Sequence, residues 1–202
     1  ALMRKESREP THFSVVDDEG NAVSLTYTLE QGYGSKLTVE GAGFLLNNEM
    51  GDFNPVPGVT NRRGQIGTKP NLVAPEKRML SSMTPTIVAK DGKPVIVIGS
   101  PGGRTIINTV LQVILNVIDH DMNIAQAIEA GRIHHQWLPD VTRFEPGSIS
   151  PDTQRLYEMM GHAVRFSNWS QGQAMGIYID HETGMIYGAA DSRAFDGKAV
   201  GY

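Results

Sequence analysis

The stretch Pro94-Val95-Ile96-Val97-Ile98-Gly99-Ser100-Pro101-Gly102-Gly103 decides the fold class, because it carries a strand and a sharp turn that lead directly into a helix. Pro94–Ile98 predicts a strand, which pairs with Thr86–Val88 as a β-hairpin. Beyond Gly103, apolar residues recur at helical spacing to about His120 and predict the strongest helix of the chain. These residues are Ile106, Ile107, Val110, Leu111, Val113, Ile114, Val117 and Ile118.

Two further β-hairpins are expected, one on either side of this unit. The first joins Thr11–Asp17 to Ala22–Leu29, and the second joins Met175–Ile179 to Met185–Ala189. The remaining expected elements are helices over Ile124–Ala130 and Pro151–Met160, a short strand over Phe44–Leu46, and a long loop from Asp52 to about Glu76. Strands, then helices, then strands again indicate an α+β layered domain.

Composition narrows the class of protein. A chain of 202 residues with 40% hydrophobic residues suits one domain, and a net charge of −4 gives no extended nucleic-acid footprint. The absence of cysteine excludes disulfides, thiolate catalysis and cysteine metal sites. No apolar run approaches the roughly 20 residues of a membrane span, and no signal peptide is recognised. Residues 1–9 are expected to be a flexible lead-in to a domain over residues 10–202.

Three polar stretches are candidates for chemistry, each with a structural alternative. The Gly99–Gly103 turn at a helix start could present N–H groups to an oxyanion or phosphate, or be a plain turn. Ser81 and Ser82 could donate hydrogen bonds to a carboxylate, or form a cap or ST-turn. Glu49 and Asp52 could hold an ammonium group, or be solvated loop charges.

A fourth stretch, His134-His135-Gln136-Trp137-Leu138-Pro139-Asp140, has the residue types of a metal site. Adjacent histidines point in different directions on a helix or a strand, and no third ligand stands at suitable spacing. We therefore interpret these histidines as packing residues and expect no metal site here.

Together these stretches resemble the small subunit of the γ-glutamyltranspeptidases, which are N-terminal-nucleophile (Ntn) hydrolases. The resemblance runs from Thr11 to Tyr202. Its most specific matches are Thr11–Asp17, Leu46–Met50, Leu80–Thr86, Gly99–Gly103, His134–Pro139 and Ala190–Arg193. It implies the small-subunit portion of an αββα layered sandwich. It also implies self-cleavage of a precursor, followed by γ-glutamyl transfer or hydrolysis of glutathione-type substrates. That reaction would run through an acyl-enzyme on an N-terminal threonine, with no metal or organic cofactor.

The resemblance assigns substrate-binding roles to five residues. Ser81 and Ser82 would bind the α-carboxylate of a γ-glutamyl group. Asp52, with Glu49 and Glu30, would bind its α-ammonium group. At Glu30 the family often has asparagine, although an acidic residue also suits a cation.

It assigns catalytic roles around the nucleophile. Gly102 and Gly103 would supply oxyanion-hole N–H groups, and Thr28 would orient the nucleophile's hydroxyl. However, Pro10 occupies the nucleophile position and has no hydroxyl. Thr11 is the only nearby substitute, and side-chain alternation on a strand should point it away from the face shared by positions 10 and 12. The resemblance therefore leaves three alternatives open. The chain could be an enzyme, impaired at Pro10 or using Thr11 after cleavage at Pro10–Thr11. It could instead be a non-catalytic protein that binds γ-glutamyl compounds or a subunit, or a structural domain with a vestigial pocket.

The resemblance also bears on partners. In the family, a large subunit supplies half of the layered core and a substrate-binding arginine. The resemblance therefore implies that this chain pairs with a separate chain, self-associates, or is a fragment of a longer precursor. Arg63 stands where relatives with a lid loop place an aromatic residue over the substrate. The family resemblance suggests a periplasmic or secreted location in bacteria.

Overall fold

A computed structural model describes residues 11–201 of the chain. Its strands are β1 (Thr11–Val16), β2 (Ala22–Tyr27), β3 (Thr86–Lys90), β4 (Lys93–Gly99), β5 (Ile133–His134), β6 (Thr142–Phe144), β7 (Val164–Phe166), β8 (Met175–Asp180) and β9 (Met185–Ala190). Its α-helices are α1 (Ile106–Ile118), α2 (Ile124–Glu129) and α3 (Pro151–Met159). The predicted hairpins and helices are therefore confirmed, with ends that differ by at most two residues.

The central layer is a four-stranded antiparallel sheet in the order β3-β4-β8-β9. Its middle strand β4 is the strand of the opening stretch, and Ile96, Val97 and Ile98 have at most 1% of their surface exposed. Because side chains alternate along a strand, a strand buried on both faces must be covered by a layer on each side.

Helices α1 and α2 cover the first face of this sheet. Ile96 and Ile98 of β4 belong to the same core cluster as Ile106 and Val110 of α1. The α2 residues Ile124, Ala127 and Ile128 complete the cluster. Full burial of each large aliphatic side chain contributes about 1.5–3 kcal/mol to the free energy of folding, so this cluster anchors the turn between β4 and α1.

The hairpin β1–β2 covers the second face. Ser14 Oγ donates to the Met175 carbonyl oxygen at 3.2 Å, and Ser24 Oγ donates to the Ile98 carbonyl oxygen at 2.9 Å. His12 packs against Gly99, where a Cβ atom would stand 2.2 Å from the imidazole. The described layers are thus helices, sheet and hairpin, in that order.

The outer face of the hairpin is apolar and open. Its five large side chains keep between 38% and 57% of their surface exposed; they are Phe13, Val15, Val23, Leu25 and Tyr27. Monomeric soluble proteins rarely expose a large contiguous apolar face. We call these five residues the outer hairpin face.

The sequence did not predict the small sheet β5-β6-β7, whose strands have two or three residues each. The predicted strand at Phe44–Leu46 is wrong. That segment follows a tight turn, in which Gly41 and Gly43 take positive φ, and it pairs back through an isolated bridge between Thr38 and Leu45. Between residues 11 and 201 there is no helix with the length and apolar character to cross a membrane.

Candidate active site

The candidate site forms where β1 begins on the carboxyl end of β4. His12 is 5% exposed and its Nδ1 lies 2.8 Å from Thr26 Oγ1, while its ring occupies the space beside Gly99. Burial lowers the pKa of His12 to about 4, so the ring is neutral at physiological pH. The packing brings the start of β1 next to the turn that follows Gly99. Pro10, the residue at the predicted nucleophile position, lies outside the described residues.

The turn from Gly99 to Gly103 is buried at its base and exposed at its tip. Ser100 is fully buried, and its hydroxyl accepts a hydrogen bond from the Gln173 N–H at 2.8 Å. Gly102 has φ of 139° and lies so close to Gly172 that a Cβ would stand 2.9 Å from the Gly172 Cα. Only glycine suits such a position.

Gly102 and Gly103 lie at the start of a helix, and the space beside Gly103 is open. A short 3₁₀ turn, Gly103–Thr105, leads directly into α1, and no atom lies within 4 Å of the position a Cβ would take on Gly103. The first N–H groups of a helix have no intrahelical carbonyl partner and carry partial positive charge. This geometry can bind an anion or stabilise an oxyanion.

Thr28 and Thr11 differ in orientation. Thr11 pairs with Tyr27 and lies on the outer, exposed side of β1, opposite to buried His12. Thr28 follows Tyr27 and is half-buried, and its Oγ1 accepts a hydrogen bond from the Glu30 N–H at 2.8 Å. The Thr28 hydroxyl keeps its proton for another acceptor.

Three carboxylates converge beside Thr28. Glu30 has φ of 72°, and this positive φ turns the chain. The Glu30 carboxylate packs against Gly51, which belongs to the 3₁₀ turn Glu49–Asp52. One oxygen each of Glu30 and Glu49 is buried without a hydrogen-bond partner in the described part of the chain. Buried polar atoms are usually paired, so these two acceptors indicate a missing donor.

The electrostatics agree with this geometry. Burial raises the pKa of Glu30, and the Asp52 carboxylate raises it further. Burial also raises the pKa of Glu49, with Asp52 and Glu30 adding to it. For Asp52, burial raises the pKa while the Arg104 guanidinium lowers it. A cation bound among these groups would relieve their mutual repulsion.

The segment Ser81–Ser82 is joined to this acidic cluster by a residue that sequence reasoning missed. Asn71 Nδ2 donates to the Asp52 carbonyl oxygen at 2.7 Å, and Asn71 Oδ1 accepts from the Leu80 N–H at 3.0 Å. Ser81 Oγ accepts from the Met83 N–H at 3.2 Å, which is the ST-turn alternative, and its hydroxyl proton stays available. Asn71 lies in a loop without periodicity, so only its turn-forming residue type could have drawn attention to it.

A buried ionic network behind the turn was also missed. Arg132 NH2 lies 2.6 Å from Asp191 Oδ2, and Arg132 NH1 donates to the Gln171 carbonyl oxygen next to Gly172. Arg193 joins Asp191 to Glu145 at 3.0 and 2.7 Å. The network holds the segment that packs against Gly102. The match at Ala190–Arg193 was the only sequence signal for it.

The remaining candidates lie apart from this arrangement. His134 is buried, and its Nδ1 and Nε2 lie 3.0 Å from Asn108 Nδ2 and Gln136 Oε1. Among residues 11–201, no three histidine or acidic side chains are grouped to hold a metal ion. Arg63 lies in the Asn61–Gln65 turn, whose Gly64 packs on Leu138 and Pro139.

Comparison with known proteins gives consistent matches. The family model described as gamma-glutamyltranspeptidase matches residues 2–202. The glutathione hydrolase proenzyme of Escherichia coli is 49% identical over 197 residues, which are 98% of this chain and 33% of the relative. This chain spans about a third of the length of the curated relatives it matches.

Solved structures match as well. A Helicobacter pylori gamma-glutamyltranspeptidase mutant superposes with a TM-score of 0.82 at 47% identity, covering 91% of this chain and 100% of that chain. The Pseudomonas nitroreducens gamma-glutamyltranspeptidase complexed with L-DON gives a TM-score of 0.79 at 41% identity, covering 95% and 98%. The fold is thus the small-subunit portion of the αββα Ntn-hydrolase sandwich, and the chain belongs to the γ-glutamyltranspeptidase family.

Proposed function

We propose that this chain is the γ-glutamyl-binding half of a γ-glutamyltranspeptidase-type protein, and that its catalytic step is impaired because the nucleophile position is Pro10. In an active member, the threonine hydroxyl would attack the γ-carbonyl of a glutathione-type donor. The amine would leave with a proton, and water or an amino acid would then release the glutamyl group.

The observation that carries this proposal is the convergence of Glu30, Glu49 and Asp52 with two unpaired, buried carboxylate oxygens. An ammonium group supplies three N–H donors for the unpaired oxygens and one positive charge to offset the repulsion among the carboxylates. Ser81 and Ser82, tied to Asp52 through Asn71, would bind the α-carboxylate of the same ligand. The pair of sites therefore fits an α-amino acid head group.

Gly102 and Gly103 supply the remaining feature of the proposed reaction. Their N–H groups, at the start of the helix, would stabilise the negative charge that develops on the carbonyl under attack. Thr28 would donate its hydroxyl proton towards a nucleophile at position 10. Proline at that position has no hydroxyl to take up an acyl group. The chain would therefore neither cleave itself nor transfer a glutamyl group.

Thr11 is a poor replacement for the missing nucleophile. Its side chain lies on the outer side of β1, and the register of Thr11 with Tyr27 is fixed by five further pairs along the hairpin. A one-residue slip would expose His12 and break its bond to Thr26. We therefore favour the non-catalytic binding role over an enzyme that uses Thr11.

A large-subunit-like segment is the proposed partner. The outer hairpin face is the surface that a fourth, helical layer of the αββα sandwich would cover. A cleft that runs along β1 between residues 11–18 and Asp196–Gly201 extends this surface.

Calorimetric titration with L-glutamate tests the binding proposal. The full chain should bind L-glutamate, and Asp52→Ala and Asp52→Asn should abolish detectable binding because the ammonium group loses its main counter-charge. Glu40→Ala removes the same charge from an exposed loop position and should leave binding unchanged. Binding by Asp52→Ala that equals binding by the parent chain would show that the pocket assignment is wrong.

A further inference from the structure

We infer that Asn71 is a positioning residue that fixes the distance between the ammonium-binding carboxylates and the carboxylate-binding serines. The inference rests on the proposed function, because it concerns how the same pocket recognises an α-amino acid head group. Asn71 is not placed in contact with the ligand; it acts through the two segments that are.

The hydrogen bonds of Asn71 span three segments. Its Nδ2 donates to the Asp52 carbonyl oxygen at 2.7 Å and to Asn54 Oδ1 at 3.2 Å, while its Oδ1 accepts from the Leu80 N–H at 3.0 Å. Its own carbonyl oxygen accepts from the Asn54 N–H at 2.9 Å. One planar amide group therefore connects the end of the acidic turn to the residue before Ser81.

Few other forces hold these segments at a fixed separation. The turn Glu49–Asp52 contains no buried residue, and Leu80 and Ser81 are both exposed. Phe53 is the nearest core residue, with 7% of its surface exposed. Where apolar packing is sparse, directional hydrogen bonds determine the geometry, and such segments open at low free-energy cost.

Asparagine is the side chain that this position requires. The bridge needs an acceptor for the Leu80 N–H and a donor for the Asp52 carbonyl on the same short side chain. An ionised aspartate offers only acceptors and would repel the Asp52 carbonyl oxygen. Alanine offers neither group. Aspartate therefore loses the two donated bonds and keeps the accepted one, whereas alanine loses all three.

The predicted consequence is selective for ligands that use both halves of the pocket. L-Glutamate carries the ammonium and the α-carboxylate together, so its affinity depends on their separation in the site. Glutarate lacks the ammonium and 4-aminobutyrate lacks the α-carboxylate, so each uses one half and is insensitive to that separation. Coupling of this kind between neighbouring groups is commonly about tenfold in affinity.

The test compares these three ligands on the full chain by ligand-observed NMR titration. Asn71→Ala and Asn71→Asp should weaken L-glutamate by about tenfold, yet weaken glutarate and 4-aminobutyrate by less than about twofold. Asn61→Ala is the matched control, because Asn61 makes similar local bonds to Gln65 and Arg63 in the same loop without connecting the two segments. It should change none of the three affinities.

Hydrogen exchange separates positioning from loss of fold. The Leu80 amide should exchange faster in Asn71→Ala but keep its protection in Asn71→Asp, which retains the acceptor. Equal weakening of all three ligands, or unchanged L-glutamate binding in both variants, would overturn the positioning role. A parent chain that fails to bind L-glutamate would overturn the proposed function itself and the inference with it.

Discussion

The turn Gly99–Gly103 is built into the core, whereas the acidic cluster of Glu30, Glu49 and Asp52 lies on loops with little core beneath them. Ser100 and Thr105, around the turn, are 0% and 4% exposed, and Gly172 packs on the turn from behind. The Glu49–Asp52 turn has no buried residue and is held by backbone bonds and by Asn71.

This difference separates the two halves of the proposed site. Backbone N–H groups that face a developing oxyanion must not move, and packing provides that rigidity. Side chains that bind a charged head group can tolerate loops, because hydrogen bonds and charge set their geometry. Substitutions behind the turn should therefore lower stability, while substitutions in the cluster should change binding at little cost to stability.

The largest effect is expected in the buried network behind the turn. Arg132→Ala would remove the guanidinium bound to Oδ2 of Asp191, which is 1% exposed, and would leave Arg193 as its one remaining cationic partner among the described residues. We expect a loss of about 3–5 kcal/mol in the free energy of unfolding, measured by urea denaturation. Arg155→Ala is the matched control, because its ion pair with Asp152 is exposed, and it should cost less than about 1 kcal/mol. Similar losses in both variants would contradict a core-held turn.

A smaller loss is expected where the hairpin contacts the turn. Gly99→Ala would place a Cβ 2.2 Å from the His12 ring, so the hairpin must shift outward. We expect about 1–3 kcal/mol of destabilisation by thermal or urea unfolding. Gly32→Ala introduces the same methyl group into open space and should be nearly neutral. An equally neutral Gly99→Ala would mean that the hairpin does not depend on this close contact.

The smallest effect, with the opposite sign, is expected in the acidic cluster. The pKa of Glu49 is raised in the folded chain by burial and by Asp52 and Glu30, so the folded state binds more protons than the unfolded state between the ordinary and the raised pKa. Stability contributed by this group is therefore present at low pH and lost as pH rises through the raised pKa.

Glu49→Gln should accordingly increase the free energy of unfolding at neutral pH, by less than about 1 kcal/mol because the cluster is partly solvated. The increase should vanish below the ordinary glutamate pKa, where the parent Glu49 is protonated. Urea denaturation at several pH values measures this, with Glu40→Gln as an exposed control. A destabilising Glu49→Gln at neutral pH would show that the cluster is not under mutual repulsion.

The two regions also differ in how far the sequence predicts them. Strand β4, the turn and helix α1 follow from local periodicity and glycine placement, which encode backbone geometry directly. The residues of the acidic cluster could be named, but their meeting depends on the positive φ of Glu30 and on long-range bonds of Asn71. The Arg132–Asp191 pair, 59 residues apart in the chain, leaves no local pattern at all.

Intact-mass measurement of the purified chain tests most directly whether the pocket has been kept while the nucleophile has been lost. We predict that the Pro10–Thr11 peptide bond persists in the parent chain. Cleavage before residue 10 should appear in Pro10→Thr when it is expressed with the part of the Escherichia coli proenzyme that this chain does not match. A parent chain that begins at Thr11 would contradict the account, because it would show that Thr11 serves as the nucleophile.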